Sequence, residues 1–295
     1  MDQLPFSEAT IRLVAFVGIF ATMAGLELVQ PRRKPYQAKG VRWRTNLAMV
    51  FLSSAILRLI FKFVFTVAAI GSAIWAEQND FGLFRMFDVP AGLAGIFGFI
   101  LLDFAVWLEH VASHKIPVLW RIHRMHHSDI DFDLTTALRF HPLEIILSML
   151  WKAAVVAVLG VPVLAVLIFE IVLNGAAMFN HSNWKIPVNV DRWLRLILVT
   201  PDMHRIHHSV RVRETDSNYG FNFPFWDRIF RTYTQNPQDG HDGMTIGLYE
   251  YRGDEPTGFI WSLLLPFRAN PARQQNLAPA NAEAAGGDGQ DVKTD

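Results

Sequence analysis

Apolar runs long enough to cross a bilayer constrain this chain more than any other feature of its sequence. They occur at Leu13 to Val29, within Asn46 to Ala76, at Ala91 to Leu108 and across Leu143 to Met178. A hydrocarbon core roughly 30 Å thick takes about 20 helical residues, and the first and third runs just reach that length. The fourth divides at Gly160 and Pro162 into two helices of about 17 residues, each reaching roughly 25 Å, which predicts a hairpin that enters and returns. The second run is longer than one span needs. It carries Arg58 and Lys62 four apart on one helical face, and charges at that depth face the bundle or snorkel to the surface. The sequence leaves the path of this run open.

The charges between the runs set an orientation. Arg32, Arg33, Lys34, Lys39, Arg42 and Arg44 follow the first run with no acidic residue among them, and the positive-inside rule places that loop in the cytoplasm. The next loop, with Glu77, Asp80 and Asp88 against Arg85, then belongs outside. The third run returns to the cytoplasm and the hairpin begins and ends there. The expected fold is therefore all-α: an integral-membrane helical bundle of about four to five membrane helices, including the hairpin, under a cytoplasmic histidine-rich cap. No cleavable signal is expected, because Met1 to Thr10 lacks a basic start and the first run is followed by no small-residue cleavage site.

Composition supports this class and closes others. Hydrophobic residues make up 51% of the 295 and charged ones 18%, with mean hydropathy +0.21. Basic and acidic residues balance at 27 each, which leaves no basic surface for nucleic acid. There is no cysteine, so any metal must be held by nitrogen and oxygen. The segment 270–295, rich in Ala, Gly, Asp, Gln and Asn, has almost nothing to bury and is expected to be a disordered tail.

The eleven histidines are unevenly distributed. His110 and His114 close the third run. His123, His126 and His127 lie in His-Arg-Met-His-His-Ser, and His204, His207 and His208 lie in His-Arg-Ile-His-His-Ser. Spacings of three and four put side chains on one helical face, so each group presents its imidazoles in one direction. Neutral imidazole is the commonest metal ligand. Eight converging imidazoles are too many for one ion, and they imply two metals with four or five ligands each. A single His-x-x-x-His would be weak evidence, being common on ordinary helix surfaces; two complete triplets are much stronger.

His181, just past the hairpin, returns to the same face and joins the set. His141, where the chain re-enters the membrane, is either a ligand or a partner that orients one. His241, in a polar stretch, is read as a solvated loop residue. Asp103 lies two helical turns before His110 on the same face, and orienting that imidazole is its natural role; the alternative is pairing with Arg58 or Lys62. Trp107, Trp120 and Trp151 are read as interfacial or packing residues.

The order His-x-x-x-His, His-x-x-His-His, a single His and a second His-x-x-His-His resembles the fatty acid hydroxylase and sterol desaturase superfamily. The likeness extends to Thr135-Thr136-Ala137-Leu138-Arg139-Phe140-His141-Pro142, to Thr200-Pro201-Asp202-Met203-His204, to Asn218-Tyr219-Gly220 and to Trp226-Asp227-Arg228-Ile229-Phe230. The Thr-Ala-Leu-Arg segment looks most like the alkylglycerol monooxygenase branch and its bacterial relatives. The departures are Trp107, where the family often has Tyr, and Val111, where it often has Arg; neither removes a histidine.

The resemblance implies two iron ions, O2 as co-substrate, electrons from an external reduced carrier or reductase, and hydroxylation or desaturation of a C–H bond of a membrane lipid. It also implies a division into N-terminal membrane helices and basic loop (1–90), a catalytic domain (91–235), a C-terminal extension (236–269) and the tail. Spacing by itself would equally allow zinc or manganese. Two other readings stand beside the oxygenase. One is a histidine-rich membrane metal carrier, although transport sites usually lie near mid-membrane rather than at helix ends. The other is binuclear hydrolysis, for which Glu109 and Glu144 are the only nearby glutamates.

Overall fold

The computed structural model describes residues 7–63 and 68–269; the expected tail at 270–295 lies outside the described residues. The chain forms α1 (Glu8–Val29), α2 (Lys39–Phe63), α3 (Ala69–Gln78), α4 (Leu83–Met86), α5 (Ala91–Lys115), α6 (Pro117–His127), α7 (Pro142–Leu159) and α8 (Val163–Asn180). Shorter pieces follow: α9 (Val188–Leu194), α10 (Pro201–His207), α11 (Val212–Thr215), α12 (Phe225–Ile229), α13 (Gly240–Gly243) and α14 (Phe259–Leu264). Among the described residues there is no strand, only the isolated bridges Pro31–Trp184 and Ser209–Ile246.

Four helices, α1, α5, α7 and α8, are long and apolar enough to cross a membrane, as expected of an integral membrane protein. Their ends follow local chemistry. Ser7 caps α1 by accepting from the Thr10 amide. Pro142 sits in the first turn of α7, where its missing N–H costs nothing, and the His141 ring caps the Leu143 amide. Gly160 ends α7 in the left-handed conformation at φ 69°, which suits a residue without Cβ, and Pro162 opens α8. The hairpin expected at Gly160 and Pro162 is thus present as two 18-residue helices. A Cβ on Gly82 would lie 2.4 Å from the Gly160 backbone, so the loop before α4 and the hairpin tip pack together on one side of the bundle.

The ambiguous second run resolves into α2 and α3, neither of which is among the candidate spans. Arg58 is exposed on α2, and residues 64–67 lie outside the described residues.

Leu102 and Val106 of α5, Val156 of α7, Val166 and Phe169 of α8, and Ile70 and Ala73 of α3 form the main buried cluster. Leu13 and Val17 of α1, Ile96 of α5, Leu150 of α7 and Ile168 of α8 point outward and are exposed. An apolar perimeter of this kind belongs against lipid.

At the other end the helices are capped by polar structure. Arg42 of α2 reaches Asp129 (2.7 Å) and Asp133 (2.7 Å) just beyond α6, all three nearly inaccessible. Burial disfavours each charge, but mutual pairing wins: Asp129 is held down at about 2 and Arg42 is raised. Arg139, also buried, donates to the Met125 and Pro256 carbonyls, Asn46, Ser128 and Ser262, and so ties α2, α6 and the C-terminal segment into one rigid platform.

Candidate metal centre

Nine of the ten candidate histidines meet in the interior of this platform and form two groups. His110, His114, His123, His127 and His207 make one; His126, His181, His204 and His208 make the other. Within each group the candidate donor nitrogens all lie within 4.8 Å of one another. The partition cuts across the sequence. His123 and His127, four apart on α6, go to the five-membered group, while His126 turns to the other. At the second string His204 and His208 join the four-membered group and His207 the five-membered one. The expectation that each triplet points in one direction is therefore corrected: each triplet spans both groups, because adjacent histidines on a helix stand about 100° apart.

Outer partners fix which ring nitrogen faces inward. Nδ1 of His110 meets the Tyr219 carbonyl at 2.7 Å, that of His207 the Ser217 carbonyl at 2.7 Å and that of His181 the Ala177 carbonyl at 2.8 Å. Nδ1 of His123 meets Glu144 at 2.5 Å, and that of His114 lies 3.4 Å from Asp216. A carbonyl can only accept, so Nδ1 of His110, His207 and His181 carries the proton and leaves Nε2 as the bare donor.

The inward nitrogens have too few protein partners to be satisfied without a cation. Nε2 of His181 lies 3.1 Å from Nε2 of both His126 and His204. One lone pair cannot accept from two donors, whereas a metal ion would accept from all three. Nε2 of His110 and of His207 and both ring nitrogens of His208 are buried with no hydrogen-bond partner, a costly condition that coordination relieves.

Electrostatics agrees. Burial pushes His123 and His181 down to about 3. Burial and the neighbouring imidazoles put His126, His127, His204, His207 and His208 well below the ordinary value. All are neutral near pH 7, the state that binds metal. The residues present thus fit two metal ions, five imidazoles around one and four around the other.

The remaining candidates fall elsewhere. The structure does not bring His141 to either group: its Nδ1 caps α7 and its Nε2 meets the Leu263 carbonyl at 3.1 Å. Asp103 accepts from Trp226 Nε1 at 2.8 Å rather than from a histidine or Arg58, so it anchors α12 to α5; the Lys62 side chain lies outside the described residues. His241 lies on α13, 3.8 Å from Asp202. Trp107 donates to Asp227, which also takes the Tyr219 and Gly220 amides and the Thr232 hydroxyl. Asp227 thereby holds the turn whose Tyr219 carbonyl orients His110.

Glu144 was visible in the sequence three residues past His141, but as a possible acid or base; its contact with His123 depends on α7 packing beside α6. Phe140, stacked on His126 at 4.3 Å, and Phe132, stacked on His181 at 5.4 Å, were not singled out. Their aromatic rings flank the imidazoles and exclude water.

One cavity adjoins the five-membered group and a second adjoins the first. A chamber of about 140 Å³ touches His110, His123, Phe140 and Glu144. A second, of about 350 Å³ and almost wholly apolar, opens between α5, α6 and α7 and shares Glu109, Ser113 and Glu144 with the first.

Residues 95–232 match the fatty acid hydroxylase family model. The chain is 24% identical to an ornithine lipid hydroxylase of Rhizobium tropici over 90% of this chain and 77% of that protein. It is 26% identical to alkylglycerol monooxygenase of Homo sapiens over 68% of this chain and 44% of that protein, so it spans under half of that relative. A cholesterol 25-hydroxylase-like protein of Danio rerio is 27% identical over 77% of this chain. No solved structure matches.

Proposed function

We propose that this chain, whose residues 95–232 match the fatty acid hydroxylase family model, is an O2-dependent, di-iron membrane oxidoreductase of that superfamily that hydroxylates a C–H bond of a lipid. The observation that carries this reading is the pair of buried imidazole groups, five and four strong, with a chamber against His110 and His123 that shares Glu109, Ser113 and Glu144 with a larger apolar cavity. When bound, two iron ions would activate O2. The balance is R–H + O2 + two electrons + two protons giving R–OH + H2O, with the electrons drawn from an external reduced carrier or reductase.

The chain's own residues supply the rest. Nine neutral imidazoles hold the metals without neutralising their charge. Tyr219, Ser217, Ala177 and Glu144 fix the rings' orientation, and such partners matter nearly as much as the ligands. Phe132, Phe140 and Phe221 exclude water from the reacting face. The basic loop after α1 supports a cytoplasmic position for this face, within reach of a soluble electron donor. A division at about 90 and 235 fits this reading, with the spanning α1 and the platform helix α2 ahead of the histidines and the segment 236–269 as a brace on Arg139.

Purified protein supplied with reductant and a lipid extract under labelled O2 tests the reading. Oxygen from O2 in a lipid product, with about two iron ions per chain, is the expected result. Stoichiometric zinc with no O2 uptake would instead support a metal carrier, and label from water would support hydrolysis.

A further inference from the structure

The two cavities beside the histidines differ in the one property that decides which end of a lipid can reach the metals. Both have Glu109, Ser113 and Glu144 in their walls; the outer one is otherwise apolar, walled by Leu108, Ala112, Leu119, Ile122, Leu147 and Trp151, of which Leu108, Leu147 and Trp151 are exposed on the outside of the protein. The inner one, which touches His110 and His123, is small and carries Glu109, Ser113, Glu144, Ser148 and Lys152 among its walls.

Volume sharpens the contrast. A cavity of roughly 150 Å³ holds one benzene-sized molecule, so the inner chamber of about 140 Å³ takes about six heavy atoms and excludes a folded acyl chain or a sterol ring system. Polarity decides which six. Ser148 donates to Glu109 at 3.1 Å, while Glu144 uses Oε1 for His123 and leaves its buried Oε2 with no hydrogen-bond partner. A bare carboxylate oxygen in an apolar surround is costly, and a ligand donor removes that cost. An acyl methyl end would leave it unmet.

We propose that the lipid enters with its polar, hydrogen-bond-donating end inward. That hydroxyl, amide or amino group would meet Glu144 and Glu109 in the inner chamber, while the chain lies in the outer groove between α5, α6 and α7. Glu144 is then both the positioning residue for His123 and the specificity residue for the substrate. The carbon oxidised lies within about six atoms of the polar group. This rests on the hydroxylase reading above and adds to it the orientation of the substrate.

The test uses the full chain, iron-loaded, in phosphatidylcholine nanodiscs, with hexadecanol and hexadecane as probes. Wild type is expected to bind hexadecanol at least 10-fold more tightly than hexadecane. In Glu144→Gln the amide oxygen still accepts from His123, so iron content should hold. Its NH2 now faces the chamber and repels a donor, so the preference should fall to about one and KM for a hydroxylated lipid should rise more than kcat falls. Leu147→Trp, on the outer wall, should raise KM with iron content unchanged, and it serves if Glu144→Gln does not fold. Product analysis should place the new oxygen within six carbons of the polar group.

Equal binding of the two probes by wild type, an undiminished preference in Glu144→Gln, or oxygen beyond the sixth carbon would overturn the proposal while leaving the hydroxylase reading intact. Absence of iron or of O2 uptake in wild type would instead defeat the hydroxylase reading itself.

Discussion

The two His-Arg-x-His-His-Ser strings are nearly identical in sequence and differ in almost everything around them. The first lies on an eleven-residue helix and the second on one of seven. His123 is held by a carboxylate and His207 by a carbonyl. Arg124 donates to the carbonyls of Leu265 and Arg268, whereas Arg205 pairs with Asp202. The first string gives two imidazoles to the five-membered group and one to the other; the second reverses that count. A repeated string therefore specifies the kind of donor and its spacing. The neighbours decide which group each donor joins and which string borders the inner cavity.

The largest expected effect breaks the two strings in their different groups. His126→Ala leaves three imidazoles in the smaller group and His207→Ala leaves four in the larger. Both should lower turnover by at least about 100-fold, in line with the loss of a metal-orienting residue. Iron analysis should separate them, with His126→Ala losing more metal than His207→Ala. Full activity in either variant would refute the site.

Acid attacks what the strings share. In the metal-stripped protein the folded values of His123 and His181 are about 3, and the other five histidines beyond the spans lie well below 6.5. Above about pH 6.5 both folded and unfolded states are neutral and stability is flat. Below it the unfolded chain takes protons that the folded one refuses, so stability falls as pH drops from about 6.5 toward about 3. Each imidazole contributes up to about 1.4 kcal/mol per pH unit. Melting curves at pH 8.5, 7.5 and 5.5 should show almost no change over the first step and a sharp drop over the second. Loading with metal should move the drop to lower pH.

The residues that follow each string provide a third contrast. After the first, Arg42 holds Asp129 and Asp133 in a buried pair of contacts; after the second, Arg211 pairs with Asp239 at the exposed surface. Arg42→Ala strands two buried carboxylates and should cost about 3–5 kcal/mol. Arg211→Ala should leave the melting temperature unchanged, since exposed pairs contribute little. Equal effects would mean that the platform beneath the first string is not the rigid element inferred here.

Sequence reading reached some of this and not the rest, for physical reasons. The spans α1, α5, α7 and α8 and the Gly160–Pro162 turn follow from hydrophobic length and from backbone chemistry local to a few residues. The nine converging histidines were legible because imidazole is rare and its spacing is helical. What was not legible depends on contacts across more than 100 residues. Asp103 finds Trp226 and Trp107 finds Asp227 only after α12 folds back onto α5. The assignment of histidines to groups likewise needs the packed positions of four separate segments. The second run was unreadable because α2 packs on the polar platform through Arg42 and Asn46, which offsets its otherwise membrane-like composition.

His141 tests that boundary with the smallest expected effect. Its position in the motif suggests a ligand, but its ring is occupied on both sides, accepting from the Leu143 amide at 3.1 Å and meeting the Leu263 carbonyl at 3.1 Å. One ring nitrogen therefore works as a helix cap and the other ties α7 to the C-terminal brace, leaving neither for a metal. His141→Ala should keep the full iron content and lower stability by about 0.5–2 kcal/mol, the cost of a lost cap. His141→Asn, which restores a side-chain acceptor at the same position, should recover most of that. Loss of one iron ion with unchanged melting would reverse the assignment, and would make the five-and-four partition of the imidazoles incomplete.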